Sequence, residues 1–395
     1  MTALSQKYDI AIVGAGPAGS SAAIRLSQAG LKVLLAEQKA FPREKLCGEF
    51  ISPECLVHFR ELGVMTDMAA AGGTNLSETV FYTRGGRGVA VESAWFGDAD
   101  SHALGLSRAE MDNILLERAE ACGADVRRET TATSLLTENG VVTGVKLRDK
   151  SGAETEVEAA LTIDATGRTR SLARRLDDRT LPKEAADLVA FKTHLRGARV
   201  TPGACEIYVY RGGYGGCNRV QDDLYNLCFI ASAADAKRLG SDPERVMREV
   251  VFSNKRAAEA MRDAVVAKPW HAVPIARFGR SELVPAAGLL TVGDAASFID
   301  PFTGSGMLLA LESARIASEA VVSEGLVVKD LTNIAARYRV GYAAAFDTRL
   351  RVCSLLRHAA FVPFLAESTI ALLSVSRSLR RQVARATRFN AGPAV

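Results

Sequence analysis

Two short apolar runs, with an amphipathic stretch between them, mark the start of the chain. Residues 8–13 are apolar up to a glycine, which is typical of a strand buried on both faces of a sheet. A glycine- and alanine-rich turn, residues 14–19, precedes a helical pattern that reaches Ala29 and stops at Gly30. The second apolar run, residues 32–36, is closed by Glu37. The pattern predicts a strand–helix–strand unit of about 30 residues.

Further along the chain, apolar and polar residues alternate in segments that predict strands. Residues 125–165 alternate between apolar and polar side chains and contain turn signals at Asn139-Gly140 and Ser151-Gly152. This pattern predicts an antiparallel meander. Residues 79–93 predict a hairpin around Gly85-Gly86, and residues 189–230 contain further strand-like segments with glycine-rich turns. We assign these last two segments to a second, mostly antiparallel domain inserted into the first.

Helical patterns and one more buried run belong to the first domain. Residues 107–121 predict a helix, with Ser107 and Glu110 spaced as a capping box. Residues 289–292 return to the character of a buried strand, and residues 304–322 predict a long helix.

Length and composition fit this division. The 395 residues are enough for two to three domains at about 150 residues per domain. With 48% hydrophobic and 24% charged residues, the composition is that of an ordinary globular protein. The predicted boundaries are 1–75, 101–180 and 271–340 for the discontinuous first domain, 76–100 and 181–270 for the inserted domain, and 341–395 for a C-terminal helical tail.

Charge and cysteine content exclude several classes of partner. A net charge of +4 is too balanced to indicate a nucleic-acid partner. Seven cysteines at irregular spacings form no CxxC pair, and the five histidines are scattered, so we expect no metal site. The odd cysteine count and the lack of a signal-peptide pattern at the start indicate a cytoplasmic protein.

The turn after the first predicted strand has the features of a dinucleotide site. Gly14 permits the tight turn, Gly16 lets a pyrophosphate approach the backbone, and Gly19 lets the helix pack closely on the sheet. The free N–H groups at the helix N-terminus favour phosphate. Glu37, at the end of the next strand, is placed to accept hydrogen bonds from ribose hydroxyls.

Two downstream segments carry the same kind of signal. Asp294 ends a predicted strand, and the glycine-rich loop 300–307 then opens a helix whose N–H groups would face the pyrimidine edge of an isoalloxazine. Asp164-Ala165-Thr166-Gly167 also lies at a strand end before a turn, where it would abut a dinucleotide.

Together these motifs resemble the para-hydroxybenzoate-hydroxylase-like FAD-dependent oxidoreductases. Residues 41–48 resemble the geranylgeranyl reductase branch, in which the Cys-Gly pair lies near the flavin, and Arg108 stands where the family has an arginine for the FAD phosphates. The resemblance implies an α/β protein: a Rossmann-like FAD-binding domain of the glutathione-reductase type, with an inserted antiparallel β-sheet substrate domain and C-terminal helices. The cofactor-binding residues that the motifs and the resemblance indicate are Gly14, Gly16, Pro17, Ala18, Gly19, Glu37, Gln38, Arg43, Lys45, Cys47, Gly48, Arg108, Asp164, Gly167, Gly293, Asp294, Pro301, Gly304, Ser305, Gly306 and Met307.

The chain departs from two branches of this family. Prenyl reductases carry Tyr-x-Trp-x-Phe-Pro beside the substrate, and this chain has residues 214–219, Tyr-Gly-Gly-Cys-Asn-Arg, at the equivalent place. The halogenase element Trp-x-Trp-x-Ile-Pro is absent as well, since the two tryptophans are Trp95 and Trp270. The resemblance therefore implies an NAD(P)H-dependent monooxygenase of a lipophilic or polyketide-like small molecule. The alternatives are a reductase of isoprenoid double bonds, a halogenase and an electron-transfer flavoprotein.

Three further features have two readings each. Cys47 is a candidate catalytic residue by its place near the flavin, or a small apolar packing residue. Cys217, in a predicted glycine-rich turn, is a candidate on the substrate side, or a structural residue. The basic tail, with eight arginines and one acid between residues 349 and 388, would lie on an anionic membrane or cover a lipophilic channel, or would pack on its own FAD domain.

Overall fold

The computed structural model describes residues 6–97, 101–176, 186–276, 278–300, 302, 304–326, 331–361, 370 and 372–386, with backbone only for 352–361 and 386. Twenty strands are numbered in chain order: β1 (Gln6–Val13), β2 (Val33–Ala36), β3 (Phe50–Ile51), β4 (Thr74–Leu76), β5 (Glu78–Tyr82), β6 (Gly88–Glu92), β7 (Ala103–Gly105), β8 (Asp125–Arg127), β9 (Thr131–Glu138), β10 (Val141–Arg148), β11 (Glu154–Asp164), β12 (Leu188–Arg196), β13 (Ala204–Tyr210), β14 (Gly213–Arg219), β15 (Tyr225–Ser232), β16 (Val265–Val266), β17 (His271–Ile275), β18 (Gly279–Arg280), β19 (Leu289–Thr291) and β20 (Ser297–Phe298).

The described helices are α1 (Pro17–Gln28), α2 (Pro53–Leu62), α3 (Met65–Ala70), α4 (Arg108–Ala121), α5 (Ala233–Arg238), α6 (Pro243–Glu249), α7 (Lys255–Ala260), α8 (Gly306–Glu324), α9 (Thr332–Phe361) and α10 (Arg377–Ala386). The predicted strand–helix–strand unit corresponds to β1, α1 and β2. The predicted helix at 107–121 corresponds to α4.

The first sheet has the strand order β8-β2-β1-β11-β10-β9, and β19 also pairs with β11. Strands β8, β2, β1 and β11 run parallel, and β19 runs parallel beside the last residues of β11. Strands β9 and β10 form the antiparallel meander on the other part of β11. The carboxyl ends of β1, β11 and β19 therefore meet at one edge, where ligands bind in open parallel sheets.

The second sheet has eight strands in the order β16-β12-β15-β14-β13-β5-β6, with β17 also paired to β12. All its pairs are antiparallel except that of β13 with β5, which agrees with the mostly antiparallel domain that the sequence indicated. It also extends past residue 270, the expected boundary, because β17 pairs with β12. One face packs on α5, α6 and α7 around buried residues such as Phe191 and Phe229.

Helix α4 begins with half of the predicted capping box. The hydroxyl of Ser107 accepts a hydrogen bond from the backbone N–H of Glu110 at 3.3 Å. The backbone N–H of Ser107, however, donates to the side chain of Gln221 at 3.0 Å. A residue of the inserted domain thus completes the cap.

The beginning of the C-terminal tail packs on the first domain. Tyr338, Tyr342 and Phe346 lie on one face of α9 and are fully buried in that domain's core. The Tyr338 hydroxyl donates to the carbonyl of Thr291 at 2.6 Å, next to the edge where the strands end. Residues 362–369 and 371 of the apolar stretch 359–376 lie outside the described residues. Within the part of the chain that is described, no helix is long and apolar enough to span a membrane.

Candidate active site

A cavity of about 810 Å³ lies between the strand ends of the first sheet and the open face of the second sheet. Loops of the first domain line one end, which we call the cofactor end. The second sheet, the 3-10 turn Ser93–Phe96 and the C-terminal segment line the other, which we call the substrate end. The predicted cofactor residues that line the cavity are Gly14, Gly16, Pro17, Ala18, Glu37, Gln38, Arg43, Lys45, Cys47, Gly48, Arg108, Gly167, Gly293, Asp294, Gly304, Gly306 and Met307.

The turn between β1 and α1 needs its glycines for different reasons. Gly14 has a φ of +101°, and a Cβ there would lie 2.4 Å from the carbonyl oxygen of Ala165. A Cβ on Gly19 would lie 1.8 Å from the carbonyl oxygen of Gly14. Gly19 does not line the cavity, so its role is packing within the turn. Gly16 faces open space and precedes the first residue of α1. The turn thereby presents a bare helix N-terminus to the cavity.

Glu37 fixes the shape of this turn. Its carboxylate accepts hydrogen bonds from the backbone N–H groups of Ala15 and Lys39, each at 2.9 Å. The side chain lies at the end of β2 and lines the cavity, where a ribose would meet it.

Two guanidinium groups share one buried carboxylate beside Gly16. Arg108 donates to Asp112 at 2.8 and 2.7 Å, and Arg43 lies 3.1 Å from the same carboxylate. Burial works against the charged form of Arg108, but the contact with Asp112 outweighs it and raises the pKa of Arg108. The position of a Cβ on Gly16 is 3.8 Å from Arg43 and 3.9 Å from Arg108. The concavity between them has the charge and donors that phosphate groups require.

Asp294 directs a carboxylate into the cavity just after β19. It accepts no hydrogen bond from any residue that the structure describes. Burial raises the pKa of Asp294, and three nearby cations oppose that rise: Arg108, Lys45 and Arg168. An acceptor that lines the cavity and has no donor among the described residues is placed to receive hydroxyl groups of a ligand.

Asp164 differs from the sequence-based expectation. Its side chain is fully buried and does not line the cavity. Its carboxylate accepts hydrogen bonds from the backbone N–H groups of Thr166, Leu172 and Ala173 and from the Thr166 hydroxyl. It therefore shapes the loop after β11, while Thr166 and Gly167 of that loop line the cavity.

The loop before α8 lies partly in the cavity. Gly304, Gly306 and Met307 line it, whereas Ser305 is fully buried away from it. The predicted residue Pro301 lies outside the described residues. Nothing lies within 4 Å of the place that a Cβ on Gly306 would take, so the start of α8 is open to a ligand.

The substrate end is largely apolar. Adjacent strands of the second sheet line the cavity with one aromatic residue and otherwise small or aliphatic residues: Thr79, Phe81, Val89, Val91, Cys205, Ile207, Val209, Gly216, Cys228 and Ile230. Among these, Gly216 leaves a gap in the floor, since a Cβ there would meet only the tip of Ile207 at 3.0 Å and the carbonyl oxygen of Glu206 at 3.7 Å.

An aromatic cluster joins the two ends. The ring of Phe302 lies 5.0 Å from that of Tyr214, edge to face, and 5.5 Å from that of Phe81. The Tyr214 hydroxyl donates to Asp300 in the loop before α8. Burial together with the Asp300 carboxylate raises the pKa of Tyr214 well above its ordinary value, so the phenol stays protonated.

The two candidate cysteines lie in different places. Cys47 lines the cavity, and its sulfur accepts a hydrogen bond from the backbone N–H of Glu49. Cys217 is fully buried in the core on the other face of β14, against the helices. Because alternate residues of a strand point to opposite faces, Gly216 and Asn218 reach the cavity and Cys217 does not. A catalytic role for Cys217 has no support in this placement.

Sequence reasoning missed a buried charge cluster beside the Cys47 turn. The Lys192 ammonium on β12 lies 2.6 Å from Glu49 and 3.0 Å from Glu44. His194 lies 2.6 Å from the other Glu49 oxygen, and Lys268 lies 2.6 Å from Glu44. Glu44, Glu49 and His194 are close enough to hold a metal ion, but the two ammonium groups of Lys192 and Lys268 already pair with the two carboxylates. The sequence signal was a pair of ionisable residues two positions apart, Lys192 and His194, which share one face of a strand. Ionisable side chains are unusual in a buried strand.

The cofactor end fits a flavin dinucleotide on these observations. The turn at Gly16, the paired guanidinium groups and the unsatisfied Asp294 carboxylate match a pyrophosphate and a hydroxylated chain. At Gly48, as at Gly306, no atom lies within 4 Å of the position of a Cβ, which leaves room for a flat ring between the two turns.

Comparisons with known proteins agree. The model of the FAD binding domain family matches residues 7–320. The digeranylgeranylglycerophospholipid reductase of Methanosarcina mazei is 30% identical over 324 residues, which are 80% of this chain and 75% of the relative. The menaquinone reductase of Mycolicibacterium smegmatis is 27% identical and is matched over 82% of this chain and 78% of its own. A flavoprotein/dehydrogenase from Cytophaga hutchinsonii shares the fold with a TM-score of 0.83 and 20% identity, over 96% of this chain and 92% of its own.

Proposed function

The chain belongs to the FAD binding domain family and is an FAD-dependent oxidoreductase, and from that premise we propose that it hydroxylates an apolar small molecule with NAD(P)H as reductant. One observation carries the proposal. A single cavity joins the phosphate-binding concavity at Gly16 to an apolar floor on the second sheet. A lipophilic molecule on that floor would lie next to the cofactor, shielded from water by both domains.

The side chains at the cofactor end would bind different parts of the cofactor. Bound FAD supplies the two-electron chemistry of the reaction. Arg43 and Arg108 offer guanidinium donors to the pyrophosphate, and Asp294 accepts from the hydroxylated chain. The N-terminus of α8 offers backbone N–H groups and a positive dipole end, which favour negative charge on the ring. Glu37 holds the turn that shapes the phosphate site.

The residues at the substrate end orient the substrate and exclude water. The aromatic cluster of Phe81, Tyr214 and Phe302 connects the second sheet to the loop before α8. Gly216 occupies the position at which the resemblance gives prenyl reductases a tryptophan, and it faces the cavity. The wider floor that results favours a broad molecule over a slim isoprenoid chain, which supports hydroxylation as the leading reaction.

The second candidate is reduction of isoprenoid carbon–carbon double bonds. The relative from Methanosarcina mazei, at 30% identity, is a reductase, and this observation favours the alternative. The turn with Cys47 and Gly48 resembles the geranylgeranyl reductase branch and lines the cavity.

One experiment separates the two reactions. The FAD-loaded protein is supplied with NADH or NADPH in air, with catalase present, together with polyketide-type phenols and quinols or with geranylgeraniol. Hydroxylation predicts substrate-dependent oxygen uptake and a product heavier by one oxygen atom. A product that gains two hydrogens without oxygen uptake would contradict hydroxylation and establish the reductase. Reduction of the protein only by a protein donor would contradict both.

A further inference from the structure

A lone cation stands in the apolar part of the cavity. Arg380 of α10 lines the substrate end together with Val383 and Ala384 from the same helix. Leu373 and Ile370, just before this helix, add further apolar surface. Among the described side chains of that end, Arg380 is the one that carries a permanent charge.

The position of Arg380 is fixed by an aromatic ring and not by an acid. Its guanidinium carbon lies 5.7 Å from the centroid of the buried Trp95 ring. The neighbouring arginines of α10 are engaged elsewhere. Arg377 takes both oxygens of Glu92 at 2.8 Å, and Arg385 donates to the carbonyl of Trp95 at 3.3 Å. These contacts hold the helix on the second domain with Arg380 turned inward.

The guanidinium of Arg380 has no counter-ion in the described structure. It forms no ion pair there, and its Nε is buried without a hydrogen-bond partner. An unpaired guanidinium beside apolar surface is stabilised when a group of opposite charge binds to it. A guanidinium that stacks on a ring keeps its outer N–H groups free, and these match the two oxygens of a carboxylate, a phosphate or a sulfonate.

We propose that the cavity takes an apolar molecule that carries one acidic group, and that Arg380, stacked on Trp95, binds this group. The ligand is the substrate of the proposed reaction, so the inference rests on the proposed function and narrows it to apolar organic acids. The apolar body lies on the floor around Gly216, and the acid lies at the opposite wall formed by α10.

The test uses two fluorescent probes that differ by one sulfonate group. Anilinonaphthalene sulfonate carries the acid, and N-phenylnaphthylamine has the same ring skeleton without it. Both are titrated into the FAD-loaded protein. In Arg380→Met, which keeps an unbranched apolar stem and removes the guanidinium, we expect the sulfonate probe to bind about tenfold more weakly or worse. The uncharged probe should bind within about twofold of the wild-type affinity. Arg380→Lys should retain part of the preference for the acid.

Two control variants locate the probe. Arg381→Met removes an exposed arginine next in the chain and should leave both affinities unchanged. Gly216→Val fills the floor and should weaken both probes. Competition by decanoate and by decyl phosphate then distinguishes a carboxylate from a phosphate as the preferred acid.

Three results would contradict the inference. Equal binding of the sulfonate probe to wild type and Arg380→Met would overturn the inference, and so would an equal loss in Arg381→Met, which would indicate diffuse surface charge. Probe binding that Gly216→Val leaves intact would place the probe outside the cavity and would also overturn it. Flavin absorbance is read in the same samples. Absence of bound FAD contradicts the proposed function, whereas bound FAD without dependence on Arg380 contradicts this inference alone.

Discussion

Glu49 and Lys192 form a buried ion pair, 2.6 Å between carboxylate oxygen and ammonium, although 143 residues separate them in the chain. Neither side chain is more than 1% exposed. Lys192 belongs to the second sheet, and Glu49 follows the turn with Cys47 and Gly48. The pair therefore couples the substrate floor to the turn that lines the cofactor end.

Loss of the Lys192 charge should destabilise the protein strongly. Lys192→Met leaves Glu49 as an uncompensated buried charge, so we expect a loss of about 3–5 kcal/mol in the free energy of unfolding, measured by urea denaturation. Adding Glu49→Gln should recover part of that loss. Lys7→Met breaks an exposed pair with Glu158 and should cost less than about 1 kcal/mol. A change in Lys192→Met as small as in this control would refute the coupling.

Glu44 should make the stability depend on pH in the acid range. Burial alone would raise its pKa, but hydrogen bonds from Lys268 and Lys192 lower the pKa of Glu44 from 4.5 to about 2. An acid with a lowered folded-state pKa contributes stability above its ordinary pKa and loses it as the pH falls toward the folded value. The difference in unfolding free energy between wild type and Glu44→Gln should therefore be constant above pH 4.5 and close toward pH 2.

The exposed Glu138→Gln serves as the control for this measurement and should show no such convergence. A Glu44→Gln difference that stays constant down to pH 2 would contradict the assigned ion pairs.

Gly16 and Gly19 should respond differently to alanine. A Cβ on Gly16 clears all protein atoms by 3.8 Å or more, so Gly16→Ala should fold with unchanged stability. The methyl group would occupy the space of the pyrophosphate, and we expect FAD affinity to fall by about tenfold or more. Gly19→Ala places a Cβ 1.8 Å from a carbonyl oxygen and should lower the stability itself. Circular dichroism and flavin titration measure the two effects. Unchanged FAD affinity in Gly16→Ala would contradict the position of the phosphates.

The Asp294 carboxylate should lower the stability of the protein without FAD and strengthen the binding of FAD. Burial raises the pKa of Asp294 in the folded protein above its ordinary value. The folded protein therefore loses stability as the pH rises from the ordinary pKa of an aspartate toward the raised one. Asp294→Asn removes the buried charge, and the protein without FAD should become more stable at neutral pH and lose this pH dependence. FAD retention should fall in the same variant. An Asp294→Asn protein that keeps its full flavin content would show that this carboxylate does not hold the cofactor.

The sequence predicted the local features of the cofactor end well. Gly14, Gly16, Glu37 and Asp294 are recognisable because each follows a strand, and the ends of parallel strands meet at one edge. The family and the α/β fold follow from those positions, and the comparisons confirm both.

The remaining features depend on packing between distant segments. The structural reading of Cys217 could not be separated from the substrate-side reading, because the start of a strand decides which residues point inward and a shift of one residue reverses every side chain. The Glu49–Lys192 pair joins a loop residue to strand β12, and no local pattern reveals that these two segments are neighbours. Arg380 was one of eight arginines in the tail, and only the position of α10 on Trp95 sets it apart from the others.

Equilibrium binding of flavins to the purified chain tests the central claim most directly. We expect one FAD per chain, with the absorbance of a bound flavin. FMN lacks the adenosine half that the turn at Gly14 and Gly16 receives, so it should bind at least about a hundredfold more weakly. A protein that stays colourless after incubation with FAD, or that binds FMN as tightly as FAD, would contradict the account.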